Sequence, residues 1–547
     1  IDRLSFGPQR ADVSYGRYPD GNDTWRLMAV PTPGAANVIV YEGIAETPQF
    51  SRRGCLFSEP LTVALTTDTP GATIYYTTDG TDPFSVPRQR PGGAVYTGPI
   101  QVSRTMTIRA IAWLPGWRQS DVSAERFSFI SPTLRSFRSP VPLVVVDTMG
   151  RSVSRTQTPV YGYVIDTDEQ GTASITGPTD FAGRAGLNVR GKSSEGFPKQ
   201  QYHFEVWDDE DRDRAASILG LPADADWVLQ GPYSDKTLMR NVLVYRWSNE
   251  MGRYAPRTRF IELFLKTDNS DLSMNDYVGV YVFMEKIKIA PDRVDIAVLD
   301  SDDDAEPEIT GGYIVKKDKL DGGDVTFRTS RGQELIYDDP IGTEMTQAQR
   351  DWIRNFLNAF EATLYGGSFK DPIDGYAAFI DVGAFIDHHI LVETAKNIDG
   401  FRLSTYMFKD RNGKLHMGPV WDYNLSLGNA DYLSGWIPSG WYNRLLGDGE
   451  YPWWRRLFED PEFQLQYADR WFELRRGLFA TERLLGMIDD YAALLQEPQA
   501  RNFTRWRILG QYVWPNPVNV DPAYAAIATY GGEVAWMKDW LEARLIW

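Results

Sequence analysis

Two aspartates, Asp399 and Asp422, stand twenty-three residues apart in the stretch from Asn397 to Asn424. Asn412-Gly413 lies between them and predicts a two-residue hairpin turn, because both residue types tolerate positive φ. The flanks, Phe401–Lys409 and Lys414–Val420, are rich in aromatic and β-branched residues and read as its strands. A hairpin brings its ends together, so Asp399 before it and Asp422 after it leave the sheet at one end. Two carboxylates converging there suit a divalent metal beside a base, since hard cations take oxygen ligands. The plainer alternative is a hairpin with capping aspartates.

Several elements must position this pair. Thr346 with Gln349 forms a capping box ahead of a helix whose apolar face is Ile353, Phe356, Leu357, Phe360 and Leu364. A second helix, capped near Asp381, delivers the chain into Asn397-Ile-Asp399. Asp235 is expected to cap an earlier helix that Gly252 ends. Phe260–Leu265 and Tyr277–Lys286 read as strands. Glu285 closes the second of these, either as a buried partner of a lysine or as a strand-end charge. Gly186-Leu-Asn-Val-Arg-Gly191-Lys192-Ser193 fits the phosphate-loop expression G-x-x-x-x-G-K-[ST]. That loop requires a buried strand before it and a helix N-terminus after it. Glu195-Gly-Phe-Pro198 opens no long helix before the strand at Tyr202, so the stretch reads as strand–loop–strand. Such a loop, with small residues and a following lysine, can cover phosphates from above; a surface hairpin is the alternative. Asp300–Glu306 lacks the Gly and Glu of a calcium loop and reads as solvated acidic surface.

Composition sets wider bounds. The chain has 547 residues, room for two to four domains, and 42% hydrophobic residues, ample for a large core. A net charge of −17 argues against a nucleic-acid backbone as partner. No apolar run of eighteen residues is present, so no membrane span is expected. One cysteine excludes an intramolecular disulfide, and four histidines leave little for a histidine-based metal centre. The start at Ile1-Asp2 reads as a fragment or a processed chain. Residues 45–130 carry short strands (Leu61–Leu65, Ala72–Tyr76, Met106–Ala112) punctuated by turns, the pattern of a small sandwich. From about 137 the pattern becomes mixed α and β, and beyond Asp431 mostly helical and Trp-rich. The tryptophans read as core.

Three resemblances rest on particular residues. Ser14-Tyr-Gly-Arg17-x-Pro-Asp-Gly21, Trp25, Pro31-Thr-Pro-Gly34 and Asn37 resemble the closing part of a lamin-tail domain, over 1–40. Ile74-Tyr-Tyr-Thr-Thr-Asp79-Gly80-Thr-Asp-Pro83, with Tyr96 and Ile108-Arg-Ala110, resembles the Fn3-like module at the C-termini of chitobiases, over 45–130. The third resemblance rests on five motifs in order. They are Arg190-Gly-Lys-Ser-Ser-Glu-Gly-Phe-Pro198-Lys199, Asp235-Lys-x-Leu-Met-Arg240-Asn241, Tyr277-x-Gly-Val-Tyr-x-x-x-Glu285-Lys286-Ile287, Asn397-x-Asp399 and Trp421-Asp422-Tyr-Asn424-Leu-x-x-Gly428-Asn429. Together they resemble the spore coat protein H (CotH) kinase family, over 137–547. The fold class expected is therefore multidomain, with N-terminal all-β modules followed by an α+β atypical protein-kinase-like domain.

The resemblance implies a secreted or surface-displayed bacterial kinase that uses ATP and a divalent metal, Mg or Mn, on a protein hydroxyl. It implies that Lys199 holds the nucleotide phosphates with Arg190 and Ser193 beside it, and that Glu285 is a lysine partner or an adenine-side residue. Asp399 takes the base position; Asp422 and Asn424 take the metal positions. Two positions depart from the pattern. Ser404 stands five after Asp399, where protein kinases place a metal-binding Asn, and Asn424 replaces a second Asp. Neutral Ser and Asn are weaker cation ligands than carboxylate. They open a second reading, a catalytically weak or inactive kinase-like scaffold whose β modules attach to a surface or a glycan.

Overall fold

The computed structural model describes residues 13–547 apart from 29, 39, 86–89 and 210. An N-terminal all-β region precedes a large α+β domain. Residues Ser14–Arg17, Trp25–Met28 and Val40–Tyr41 make a three-stranded antiparallel sheet, in the stretch read as the end of a lamin-tail domain. The start of that stretch, 1–12, lies outside the described residues.

The next module is a small sandwich. Its larger sheet orders Ala94–Val95, Thr73–Thr77, Met106–Trp113, Ser123–Phe129 and Leu56–Phe57. Inward-facing Val63, Ile74, Ile100, Ile108 and Phe127 fill it. Buried polar contacts fix this module to the large domain. Arg126, on its last long strand, sends Nε and Nη2 to the two oxygens of Asp147 at 2.9 and 3.1 Å, and both side chains are buried. Ser128 donates to Asp147 at 2.8 Å, Tyr163 to the Arg126 carbonyl at 2.8 Å, and Tyr161 to Glu125 at 2.7 Å. A buried ion pair whose remaining lone pairs are satisfied holds its geometry tightly.

The first lobe of the large domain is a closed seven-stranded barrel. Its order is Leu143–Asp147, Thr158–Ile165, Phe181–Arg190, Gln201–Val206, Asp226–Gln230, Tyr277–Glu285 and Thr258–Lys266, the last pairing in parallel with the first. The sequence pattern indicates strands here; closure depends on that single long-range parallel pair. Alternation along Gln201–Val206 sends Tyr202, Phe204 and Val206 inward with Leu187, Trp227 and Phe283.

The second lobe is built on a five-stranded sheet ordered Thr326–Arg328, Glu334–Asp339, Tyr313–Lys317, Thr405–Lys409 and Leu415–Val420. Helix α1 (Arg240–Glu250) starts five residues after Asp235, which accepts the Arg240 N–H at 2.9 Å rather than capping the helix directly. Helix α2 (Gln347–Leu364) opens with the expected Thr346/Gln349 capping box and buries Ile353, Leu357, Phe360 and Leu364. Helix α3 (Val382–Ala395) is capped by Asp381 and buried from Ala384 to Ala395, its Asp387 paired with Arg253 and Arg470 and its Glu393 with Arg544. The Trp-rich C-terminal helices cover it, with Trp453, Trp454 and Trp540 in the core.

The central hairpin differs from expectation at its tip and its first strand. Lys409 pairs with Leu415, so the loop runs from Asp410 to Lys414 and is longer than two residues. Only Asn412 adopts positive φ, at 50°. The longer loop is held by outside contacts: Thr310 Oγ1 accepts the Asn412 N–H at 2.9 Å and Asp410 accepts the Ala297 N–H at 2.9 Å. The first strand starts at Thr405, because Phe401 and Ser404 take left-handed φ of 69° and 49° and cannot extend a ladder.

Candidate active site

A cleft of ≈ 800 Å³ opens between the barrel and the second sheet, within the size range of small-molecule sites. Arg190, Lys192 and Ser193 line it from the barrel, Lys316, Asp318 and Lys319 from the second sheet, and Asp399, Asp422 and Asn424 from the two ends of the hairpin.

Asp399 is positioned by the exit from α3. Lys396 turns left-handed at φ 45°, and Asn397 then staples the two aspartate segments together. Its Oδ1 accepts the Asp399 N–H at 3.2 Å, and its Nδ2 donates to the Asp422 carbonyl at 3.3 Å. Arg402 Nη2 donates to Asp399 Oδ1 at 2.8 Å. Burial raises the Asp399 pKa, Asp318 adds to that, and the charges of Arg402 and Lys319 oppose it.

Asp422 follows the strand Leu415–Val420 with φ 60°, a left-handed conformation that Asp enters more readily than most residues. Helix α1 fixes it there. Tyr245 Oη accepts the Asp422 N–H at 3.0 Å and Asn241 Oδ1 accepts the Tyr423 N–H at 2.6 Å. Arg240 binds the carbonyls of Ser426 and Leu427. The Asp235…Arg240-Asn241 motif thus acts as a brace for the segment carrying Asp422. The Asp422 carboxyl is pushed up to about 7, first by burial, then by Asp399 and Asp318, with Arg190 and Lys319 pulling the other way.

Arg190 places its guanidinium 5.2 Å from the centre of the Trp421 ring, facing Asp422 electrostatically. Burial lowers its pKa. Ser193 accepts the Lys319 ammonium at 2.8 Å, a bond that crosses from one lobe to the other. Lys192 and Arg155 both approach Asp321, at 3.5 and 3.7 Å. The phosphate-loop match is a strand running through Gly186 to Arg190, then a three-residue 3₁₀ turn, Ser194–Gly196, and the strand Gln201–Val206.

Two residues expected at the nucleotide lie elsewhere. Lys199 is 1% exposed, and its ammonium donates to the Val280 carbonyl at 2.6 Å and to Asn502 Oδ1 at 2.8 Å. It also sits 5.0 Å from the centre of the Tyr281 ring, and burial holds its pKa well below the usual lysine range. Past Phe197-Pro198 the chain heads into its next strand, and the lysine is taken into the barrel wall. Glu285 is fully buried and bound by Arg257 at 2.6 Å, Tyr254 Oη at 3.0 Å and the Arg257 N–H at 2.8 Å. Its partner is an arginine, not a lysine.

Sequence reasoning missed Asp318 and Lys319. Both come directly after the strand Tyr313–Lys317, and no motif marks them; only the register of that strand against Thr405–Lys409 brings them to the aspartates.

The donor set suits a hard divalent cation. Asn424 Oδ1 is buried without a hydrogen-bond partner, and it lies two residues from Asp422 on the same wall. Among the described residues no three His, Cys, Asp or Glu side chains converge closely enough to hold an ion by themselves. Mg²⁺ commonly takes one or two carboxylates and fills its shell with substrate phosphates and water, which this arrangement permits.

Residues 63–127 match the family model described as Fn3 associated. The chain is 22% identical over 322 residues to the inner spore coat protein H of Bacillus subtilis (strain 168), covering 58% of this chain and 79% of that protein. Residues 187–547, which hold the end of the barrel's third strand, the brace, both aspartates and the helical remainder, match the model described as CotH kinase protein, and the chain belongs to the CotH kinase family.

Proposed function

We propose that the cleft transfers the terminal phosphoryl group of ATP to a hydroxyl of a protein substrate. One observation carries the reading: Asp399 and Asp422 converge on a single cleft from the two ends of one hairpin, stapled by Asn397. In this reading Asp399 accepts the proton of the acceptor hydroxyl as its oxygen bonds to the terminal phosphorus and the bond to the ADP oxygen breaks. Asp422 and Asn424 hold the divalent metal, Mg or Mn, which when bound neutralises phosphate charge. Ser193 lies on the covering loop. Arg190 and Lys319 take the phosphate-facing role that the sequence motif assigns to Lys199, since the ammonium of Lys199 is committed inside the barrel wall.

The setting proposed is the cell surface or the secreted fraction, in keeping with the spore-coat name of the relative. The Fn3-associated module would provide attachment to a surface or a glycan. A second reading, a kinase-like scaffold without turnover, is favoured by the neutral residues Ser404 and Asn424. The test is transfer of label from γ-labelled ATP to a generic acceptor with Mg²⁺ or Mn²⁺. Asp399→Asn should still bind nucleotide while transfer falls by roughly 10²–10⁴-fold. Metal-dependent ATP binding by the wild type with no transfer selects the scaffold; equal transfer by wild type and Asp399→Asn removes Asp399 from the chemistry.

A further inference from the structure

Ser404 occupies the position at which a protein kinase carries its second metal ligand, and a hydroxyl is a weak substitute. The strand register shows what stands beside it. Lys317 pairs with Thr405 in the antiparallel ladder, so the next residue on one strand faces the preceding residue on the other. That pair is Asp318 and Ser404, with Ser404 Oγ 3.5 Å from Asp318 Oδ2. Asp318 lines the same cleft as Asp399, Asp422 and the unpartnered Asn424 Oδ1.

We propose that Asp318 supplies, from the neighbouring strand, the ligand for a second divalent cation that Ser404 cannot supply. The inference rests on the nucleotide reading of the cleft and adds a residue to it. Several observations support the assignment. Asp318 has no ion-pair partner among the described residues; its carboxylate accepts only the Lys319 N–H at 2.8 Å and the long Ser404 contact. It lies close enough to Asp399 and Asp422 for its charge to be felt at both. Three carboxylates facing one cleft are mutually repulsive, and bound cations relieve that repulsion. Because no three such side chains among the described residues hold an ion alone, the second cation requires phosphate oxygens as well. Its uptake should therefore depend on nucleotide.

The experiment counts bound Mn²⁺ by the loss of the free-ion electron paramagnetic resonance signal, with saturating non-hydrolysable ATP analogue and without it. The variants are Asp318→Ala and the double variant Asp318→Ala/Ser404→Asn, each checked against wild type by thermal melting. Wild type should take up two ions per chain with the analogue present. Asp318→Ala should take up one, with analogue affinity lower by about tenfold. The double variant should regain the second ion, because Asn at 404 restores an oxygen ligand at the kinase position. Two ions bound with unchanged affinity by Asp318→Ala would overturn the assignment. So would a wild type that binds the analogue with one ion only, which leaves the nucleotide reading standing. A wild type with no analogue-dependent uptake would sink the nucleotide reading and this one with it.

Discussion

The Asp422 carboxyl is strongly perturbed by its surroundings in the cleft, and its perturbation has a sign that can be measured. Its pKa rises from 3.8 to about 7 through burial and the nearby charges of Asp399 and Asp318. The folded chain therefore binds this proton more tightly than the unfolded chain does. The cost of holding Asp422 charged is absent below about pH 4, grows between about pH 4 and 7, and is complete above about pH 7. A shift of roughly three units corresponds to at most about 4 kcal/mol at 1.36 kcal/mol per unit. Water in the cleft screens part of that, so about 2 kcal/mol is the working figure. Asp422→Asn keeps the shape and removes the charge. In metal-free buffer at pH 8 the variant should melt a few degrees above wild type. At pH 4 the two should coincide. Adding Mn²⁺ with a non-hydrolysable ATP analogue at pH 8 should stabilise wild type and leave the variant where it was, closing the gap. The assay is differential scanning fluorimetry or calorimetry across that pH range. A variant that melts at or below wild type at pH 8 without metal, or a gap that does not change with pH, refutes the argument.

The cation held in the barrel wall and those lining the cleft should respond in opposite ways. Lys199→Met should lower stability by about 1–3 kcal/mol, because it takes a buried donor from the Val280 carbonyl and leaves Asn502 Oδ1 with the Val280 N–H alone; calorimetry on the folded fraction should find nucleotide affinity within about twofold of wild type, and a larger loss would return Lys199 to the site. Arg190→Ala and Lys319→Ala should do the reverse, weakening nucleotide binding by about tenfold or more each while shifting the melting temperature little, and unchanged isotherms would remove both from the phosphates.

What is legible in the sequence depends on whether the signal is local. The capping signals of α2 and α3 are written within four residues, and the structure starts those helices where they indicate. Asp399 and Asp422 can be paired because one hairpin separates them. Lys199 is misplaced by its motif because a motif gives adjacency along the chain, whereas the place a side chain takes depends on partners far away in sequence; here they are the Val280 carbonyl and Asn502, 81 and 303 residues on. Asp318 is invisible for the complementary reason. Its nearness to Ser404 comes from pairing between strands some ninety residues apart, and nothing in the local pattern of Tyr313–Lys317 encodes that register. The hairpin tip escapes a local reading because Thr310 and Ala297, both distant in sequence, set its length.

The buried contact of Arg126 with Asp147 fixes more than stability. A module on a flexible linker would let the kinase-like domain sweep a volume around its point of attachment. Here the Fn3-associated module continues into the barrel through a charged pair, two tyrosine hydroxyls and a serine, so it cannot swivel without exposing them. Any surface that this module grips would therefore see the cleft at a constant distance and heading. Acceptor choice would then depend on where a hydroxyl stands relative to the anchorage as well as on the residues around it, and lengthening the junction near Ile130 would widen the set of reachable hydroxyls without touching the cleft.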